Sequence, residues 1–191
     1  GIELMFHLEP YIKQFFGEAK RFTEFARERG IEEITGTFAI AFNSQDKSKF
    51  EEAMKPLDAI ADFTRDLGGS RINIMPCGGY YGLGPLDNDQ IKNAANFMNE
   101  FGKRCLDKGI IPCVHTEFWG SINREELFRY IDLLDPKYVG FCLDTAQVSI
   151  LGFDIVKFYD QYHDFVKYFH LKDTTFPNAP DELRLCAGAE F

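Results

Sequence analysis

Three short apolar runs, each ending in side chains that can bind a metal, indicate how this chain folds: CVHTE at 113–117, VGFCLDT at 139–145 and VKYFHLKD at 166–173. Each run is rich in β-branched or aromatic residues, a pattern typical of a strand. Glu117 and Asp144 are 27 positions apart, and Asp144 and His170 are 26 apart. That interval accommodates one strand and one returning helix, the repeating unit of a parallel α/β protein.

The same alternation of strands and helices extends along the whole chain. Strand patterns are found at 1–5, 34–42, 71–77, 110–117, 138–144 and 165–172, and helical patterns at 9–30, 46–67, 87–108, 124–134 and 154–162. Such alternation predicts a parallel sheet, either open and doubly wound or closed into a barrel. The Gly-x-Gly-x-x-Gly turn that a dinucleotide-binding fold needs after its first strand is missing. The sequence therefore favours an α/β fold of the (β/α)8 TIM-barrel type.

Size and charge restrict the class of protein. The 191 residues suffice for one well-buried domain but not for two of ordinary size. A net charge of −9 disfavours nucleic-acid binding, and no apolar run approaches the roughly 20 residues that span a bilayer. The five cysteines lack paired C-x-x-C spacing, and no secretory signal is visible. We expect a single domain over 1–191, with reduced thiols, in the cytoplasm, and without nucleic-acid or membrane partners.

Potential metal ligands stand at the ends of three predicted strands. Because the carboxyl ends of parallel strands meet at one edge of a sheet, Glu117, Asp144 and His170 are expected to lie together. Their oxygen and imidazole donors suit Mn²⁺, Mg²⁺, Co²⁺ or Zn²⁺. The structural alternatives are a surface Glu, an Asp that caps the following turn and a hydrogen-bonded core His.

Further residues are candidates for binding a substrate at the same edge. His115 and Lys172 each lie two positions from a predicted ligand and therefore on the same strand face. Trp119 follows Glu117 in the loop and is predicted to wall a sugar-sized pocket, with ordinary packing as its alternative. Weaker candidates are Glu3, His7 and the glycine-rich loop 78–84 with Tyr80 and Tyr81.

The runs at 139–145 and 169–173 resemble the signatures of the xylose-isomerase-like TIM barrels, and 1–5 and 113–117 are similar to the family's second and fifth strands. This superfamily includes sugar phosphate isomerases and epimerases, inosose dehydratases and endonuclease IV. The resemblance implies a partial barrel that carries the second to seventh of eight strands. It also implies a fourth metal ligand, a Glu on the eighth strand, for which Glu190 is a weak substitute.

The resemblance implies a divalent-metal-dependent isomerase or epimerase acting on a sugar or related polyhydroxy carbonyl compound through an enediolate. Glu117 would be both a metal ligand and a catalytic residue that exchanges a proton with the substrate. The alternatives are an inosose dehydratase-like lyase of the same fold and a degenerate, non-catalytic barrel. The sequence is compatible with a homo-oligomer. Endonuclease IV activity is disfavoured, because that enzyme needs three metals and many histidines, whereas this chain has four histidines.

Gln147 departs from the family pattern. Many members carry a His three residues after the strand-end Asp, but here the residue that follows Asp144 by three positions is Gln147. A Gln can hydrogen-bond a substrate hydroxyl but cannot carry a proton near neutral pH as His can. We expect Gln147 to bind substrate without transferring a proton.

Overall fold

The structure is a computed structural model that describes residues 1–79 and 84–174. Six strands form one sheet in which all neighbours are parallel and follow chain order. The strands are β1 (Ile2–Met5), β2 (Ile34–Phe42), β3 (Arg71–Cys77), β4 (Ile111–His115), β5 (Gly140–Asp144) and β6 (Val166–His170). The predicted parallel α/β architecture is confirmed, and β2 and β3 have the predicted bounds.

Helices connect consecutive strands. They are α1 (Glu9–Phe16), α2 (Ala19–Arg27), α3 (Phe50–Asp66), α4 (Asn88–Cys105), α5 (Arg124–Ile131), α6 (Thr145–Ile150) and α7 (Ile155–Tyr162). Short 3₁₀ turns cover Phe6–Leu8, Lys47–Lys49 and Leu106–Lys108. In the part of the chain that the structure describes, no helix combines the length and apolarity that a membrane crossing requires.

Two helices differ from the sequence expectation. The pattern at 9–30 predicts one helix, but α1 ends at Phe16 and α2 begins at Ala19 because Gly17 adopts a φ of 74° and breaks the helix. The short helix α6 was not predicted from the sequence. It begins directly after β5, and Asp144 caps it by accepting a hydrogen bond from the Gln147 backbone N–H.

The sheet curls into a half-barrel whose first and last strands approach each other. The Tyr168 hydroxyl on β6 lies 2.6 Å from Thr35 Oγ1 on β2, and His170 on β6 lies 2.7 Å from Glu3 on β1. The convex face of the sheet is apolar and is covered by the helices, where residues such as Ile74, Val114, Phe141, Phe97 and Tyr130 form the main core. Polar side chains therefore concentrate on the concave face.

The packing of α4 depends on a glycine. A Cβ at Gly102 would lie 2.5 Å from the carbonyl oxygen of Tyr138, which leads into β5. Because that atom belongs to the backbone, it cannot move aside without shifting the chain before β5. The absence of a side chain at Gly102 thus sets how closely α4 approaches the strand.

We expect Gly102→Ala to destabilise the protein by about 1–3 kcal/mol, the usual cost of overpacking a core. Helix propensity alone predicts the opposite, a gain of about 1 kcal/mol. Urea unfolding measures the difference, with Lys92→Ala on the exposed face of the same helix as the control. A Gly102→Ala protein as stable as wild type would contradict the close packing.

Candidate active site

Three potential ligands stand at the carboxyl end of the curled sheet. His115, Asp144 and His170 are the last residues of β4, β5 and β6, respectively. The register pairs Asp144 with His170 across β5 and β6, and His115 with Cys142 across β4 and β5. Parallel pairing in this register brings the three side chains to one point on the concave face.

The donor atoms of these residues converge. His115 Nε2 lies 2.9 Å from His170 Nδ1 and 3.2 Å from Asp144 Oδ2, and the last two atoms are 3.6 Å apart. Two atoms bound about 2.1 Å from one divalent ion at angles of 90° to 110° lie about 3.0 to 3.4 Å apart. Two imidazoles and a carboxylate at these separations therefore fit a divalent metal ion.

Each histidine has a carboxylate beside its other ring nitrogen. Glu3 Oε2 lies 2.7 Å from His170 Nε2, and Glu117 Oε1 lies 3.4 Å from His115 Nδ1 without forming a hydrogen bond with it. Glu3 is held in turn by Asn73, whose Nδ2 donates to Glu3 Oε1 at 2.5 Å. Carboxylates in this outer position orient metal-binding histidines so that the remaining nitrogen faces the ion.

Asp144 is fully buried but surrounded by donors. Its Oδ1 accepts the Gln147 backbone N–H at 3.0 Å, and its Oδ2 lies 2.6 Å from Lys172 Nζ. Burial by itself raises the pKa of the Asp144 carboxyl, but hydrogen bonds from His115, His170 and Lys172 outweigh burial and hold that pKa below its usual range. Asp144 is therefore a carboxylate at neutral pH.

The two histidines differ in protonation. Burial lowers the pKa of His170, but hydrogen bonds to Asp144 and Glu3 reverse that effect and raise it to about 9. His115 is 1% exposed, and burial lowers its pKa below the usual value. Without a bound ion, the pair holds a charged His170 against a neutral His115 at pH 7.

Glu117 is fixed by Gln147. Gln147 Nε2 donates to Glu117 Oε2, and Gln147 Oε1 accepts the Phe118 backbone N–H at 2.8 Å. Burial raises the pKa of Glu117 to about 7. Both ends of the Gln147 amide are thus engaged by the chain, and the side chain is buried behind Glu117. Contact of Gln147 with substrate stays a prediction.

A cavity of about 500 Å³ opens at this end of the sheet. It is lined by Glu3, Met5, Phe38, His115, Glu117, Phe169, His170, Leu171 and Lys172. Trp119 is not among the described residues of the lining, and its ring lies against Gly79 instead. The predicted substrate residues His115 and Lys172 do reach the cavity, together with the predicted ligands Glu117 and His170.

Some sequence candidates lie elsewhere. Glu3 joins the site, whereas His7 is exposed in the turn after β1. Tyr80, Tyr81 and Glu190 lie outside the described residues. The sequence pattern does not predict that Asn73 or Cys142 lies at the site. Cys142 lies two positions before Asp144, so the alternation of a strand could have placed it on the same face.

Residues 1–186 match the family model described as Xylose isomerase-like TIM barrel. The chain belongs to this family.

Curated relatives of this xylose isomerase-like chain are inosose dehydratases. An inosose dehydratase from Geobacillus kaustophilus is 24% identical over 156 residues, which cover 75% of this chain and 50% of the relative. The chain thus spans about half the length of the curated relative it matches over the longest stretch. Another relative, an inosose dehydratase from Lacticaseibacillus casei, is 24% identical over 96 residues, covering 50% of this chain and 32% of the relative.

Solved structures share the fold. The IolI protein with a bound zinc atom superimposes with a TM-score of 0.73 at 15% identity, covering 91% of this chain and 63% of IolI. A sugar phosphate isomerase/epimerase from Parabacteroides distasonis superimposes with a TM-score of 0.68 at 18% identity, covering 82% of this chain and 57% of that protein. These likenesses support a partial TIM barrel of the xylose isomerase-like type.

The charged His170 makes the metal-free stability depend on pH. Its folded pKa of about 9 exceeds the unfolded value of about 6.5, so its contribution is complete below pH 6.5 and is lost as pH rises through 9. We expect Glu3→Gln to weaken this loss between pH 6 and pH 9.5, because Glu3 helps to hold the proton on His170.

Urea unfolding in the presence of a chelator measures the free energy of unfolding at both pH values. Glu24→Gln removes an exposed carboxylate on α2 and serves as the control with the same charge change. A wild-type pH dependence in Glu3→Gln would contradict the raised pKa of His170.

Proposed function

We propose that this chain carries the divalent-metal centre of an isomerase or epimerase that acts on a sugar or related polyhydroxy carbonyl compound through an enediolate. The observation that carries the proposal is the convergence of His115 Nε2, Asp144 Oδ2 and His170 Nδ1 beside Glu117, whose pKa burial raises to about 7. Family membership and the sugar enzymes among the relatives support the substrate class.

The donor set indicates which residues would hold the ion. The sequence predicts Glu117, Asp144 and His170 as ligands. The distances favour His115 in place of Glu117, because the Glu117 oxygens lie beside His115 Nδ1 and the Gln147 side-chain amide. Two imidazole nitrogens suit Zn²⁺, Co²⁺ or Mn²⁺ better than Mg²⁺, which prefers oxygen ligands. We therefore assign the ion to His115, Asp144 and His170.

Glu117 is assigned the role of general base. When bound, a divalent ion supplies Lewis-acid stabilisation for negative charge that develops on substrate oxygens. Glu117 takes a proton from the carbon next to the carbonyl, and a pKa of about 7 allows it both to accept and to return that proton near neutral pH. Lys172, at the cavity wall, binds a substrate hydroxyl or anionic oxygen.

A dehydratase reaction is the second candidate. The curated relatives that match this chain are inosose dehydratases, and one match covers 75% of the chain. The first step is the same, because Glu117 again removes the proton next to the carbonyl. The outcomes differ afterwards: return of the proton to carbon completes an epimerisation or isomerisation, whereas expulsion of the β-hydroxyl group as water gives a dehydration.

A non-catalytic barrel is the third candidate, because Gln147 stands where many family members carry a histidine three residues after the strand-end Asp. We propose that small sugar-like molecules bind this chain whether it is catalytic or not. The buried cysteines within the described residues are free thiols, which supports a location in the reducing cytoplasm.

We expect titration calorimetry to detect one Zn²⁺ or Mn²⁺ ion per chain. Asp144→Ala and His170→Ala should abolish binding, because each removes one of three converging donors. His163→Ala, which removes an exposed histidine away from the site, should bind as wild type does. Circular dichroism checks that each variant is folded. Wild-type binding in both site variants would contradict the assignment.

We expect Glu117→Gln to slow exchange of the substrate's α-proton with solvent by about 10²–10⁴-fold, the usual contribution of a general base. Proton NMR in deuterated buffer follows this exchange for ketoses and for inosose. Metal binding should persist in Glu117→Gln, and Glu24→Gln is the charge-matched control. Undiminished exchange in Glu117→Gln would exclude the assigned base. An absence of exchange in metal-loaded wild type would favour the non-catalytic barrel.

A further inference from the structure

A cysteine thiol lies beside the two histidines of the proposed metal centre. Cys142 is on β5, two residues before Asp144 and paired in register with His115. The ligand atoms of His115, Cys142 and His170 all lie within 4.8 Å of one another. Cys142 is fully buried, and the alternation of β5 places its side chain on the same face of the sheet as Asp144.

The Cys142 thiol differs from its neighbour Cys113, which also faces the concave side of the sheet. Cys113 Sγ donates to the Ile111 carbonyl oxygen at 3.7 Å, whereas Cys142 makes no hydrogen bond within residues 1–79 and 84–174. Cys113 is also two residues before its strand end, but it does not belong to the group that could hold a metal. The two cysteines therefore provide a matched pair for experiment.

We propose, on the basis of the metal centre assigned above, that Cys142 is its fourth ligand and that the centre selects Zn²⁺ or Co²⁺ over Mn²⁺ and Mg²⁺. Cys142 binds as the thiolate, and its proton passes to the solvent. Two neutral imidazoles, one carboxylate and one thiolate balance the charge of a divalent ion. Four ligands of these types match the tetrahedral arrangement that zinc adopts with nitrogen, oxygen and sulfur donors.

The thiolate has a defined effect on selectivity. Sulfur is a soft ligand that strengthens binding of zinc and cobalt much more than binding of manganese or magnesium, which prefer oxygen. Any site with two histidines already binds Zn²⁺ more tightly than Mn²⁺. The quantity that identifies Cys142 is therefore the change in the ratio of the two affinities when its sulfur is replaced.

Cobalt substitution tests the ligand directly. The Co²⁺ complex of the wild-type chain should have an intense near-ultraviolet band from sulfur-to-cobalt charge transfer. Cys142→Ser should lose this band and bind Zn²⁺ at least about tenfold more weakly, with a smaller loss for Mn²⁺. Cys113→Ser should retain both the band and the wild-type affinities. Loss of the band in Cys113→Ser rather than in Cys142→Ser would overturn the assignment.

X-ray absorption of the zinc-loaded wild-type chain tests the same point without a variant, in case Cys142→Ser does not fold. One sulfur at about 2.3 Å with nitrogen or oxygen at about 2.0–2.1 Å supports the proposal. A bound ion with only nitrogen and oxygen neighbours overturns the thiolate but leaves the metal centre in place. Failure of the wild-type chain to bind any ion overturns both assignments.

Discussion

The burial of the Asp144 carboxylate is the constraint on which the rest of the site depends. An ionised carboxylate without solvent is strongly unfavourable unless several partners replace the lost water. Here the partners come from separate elements: His115 from β4, His170 from β6, Lys172 from beyond β6 and the first turn of α6. The carboxylate can be buried only if the ends of three strands and one helix meet around it.

The same network helps to define the curvature of the sheet. Glu3 is separated from His170 by 167 positions, yet the two side chains are hydrogen-bonded across the concave side. The Thr35–Tyr168 contact joins β6 to β2, the neighbour of β1, one layer deeper. Because these polar contacts involve residues of the site, the shape of the site and the curl of the sheet are coupled. An ion that orders the histidines would stabilise both.

The sequence was a reliable guide to the strands and to the edge at which the site forms, since apolar runs with polar ends reveal both. It could not separate His115 from Glu117, because residues two apart on a strand face the same side and only the curvature decides which atom reaches the centre. Glu3 was a weaker candidate from the sequence, and only the approach of β1 and β6 identifies His170 as its partner. The sequence does not predict α6, because a helix of six residues is too short to produce a helical pattern.

The engagement of Gln147 shifts the task of substrate recognition to other residues. A histidine three positions after Asp144 could donate to substrate and transfer a proton, but the Gln147 amide is used on both ends by Glu117 and Phe118. On the proposed assignment, Gln147 positions the base and the cavity wall selects the substrate. Lys172 is a cationic group of this wall that does not ligate the ion, while Phe38 and Phe169 supply apolar surface. Differences in outcome between epimerisation and dehydration then depend on how this wall orients the β-hydroxyl group, because the proton abstraction is common to both.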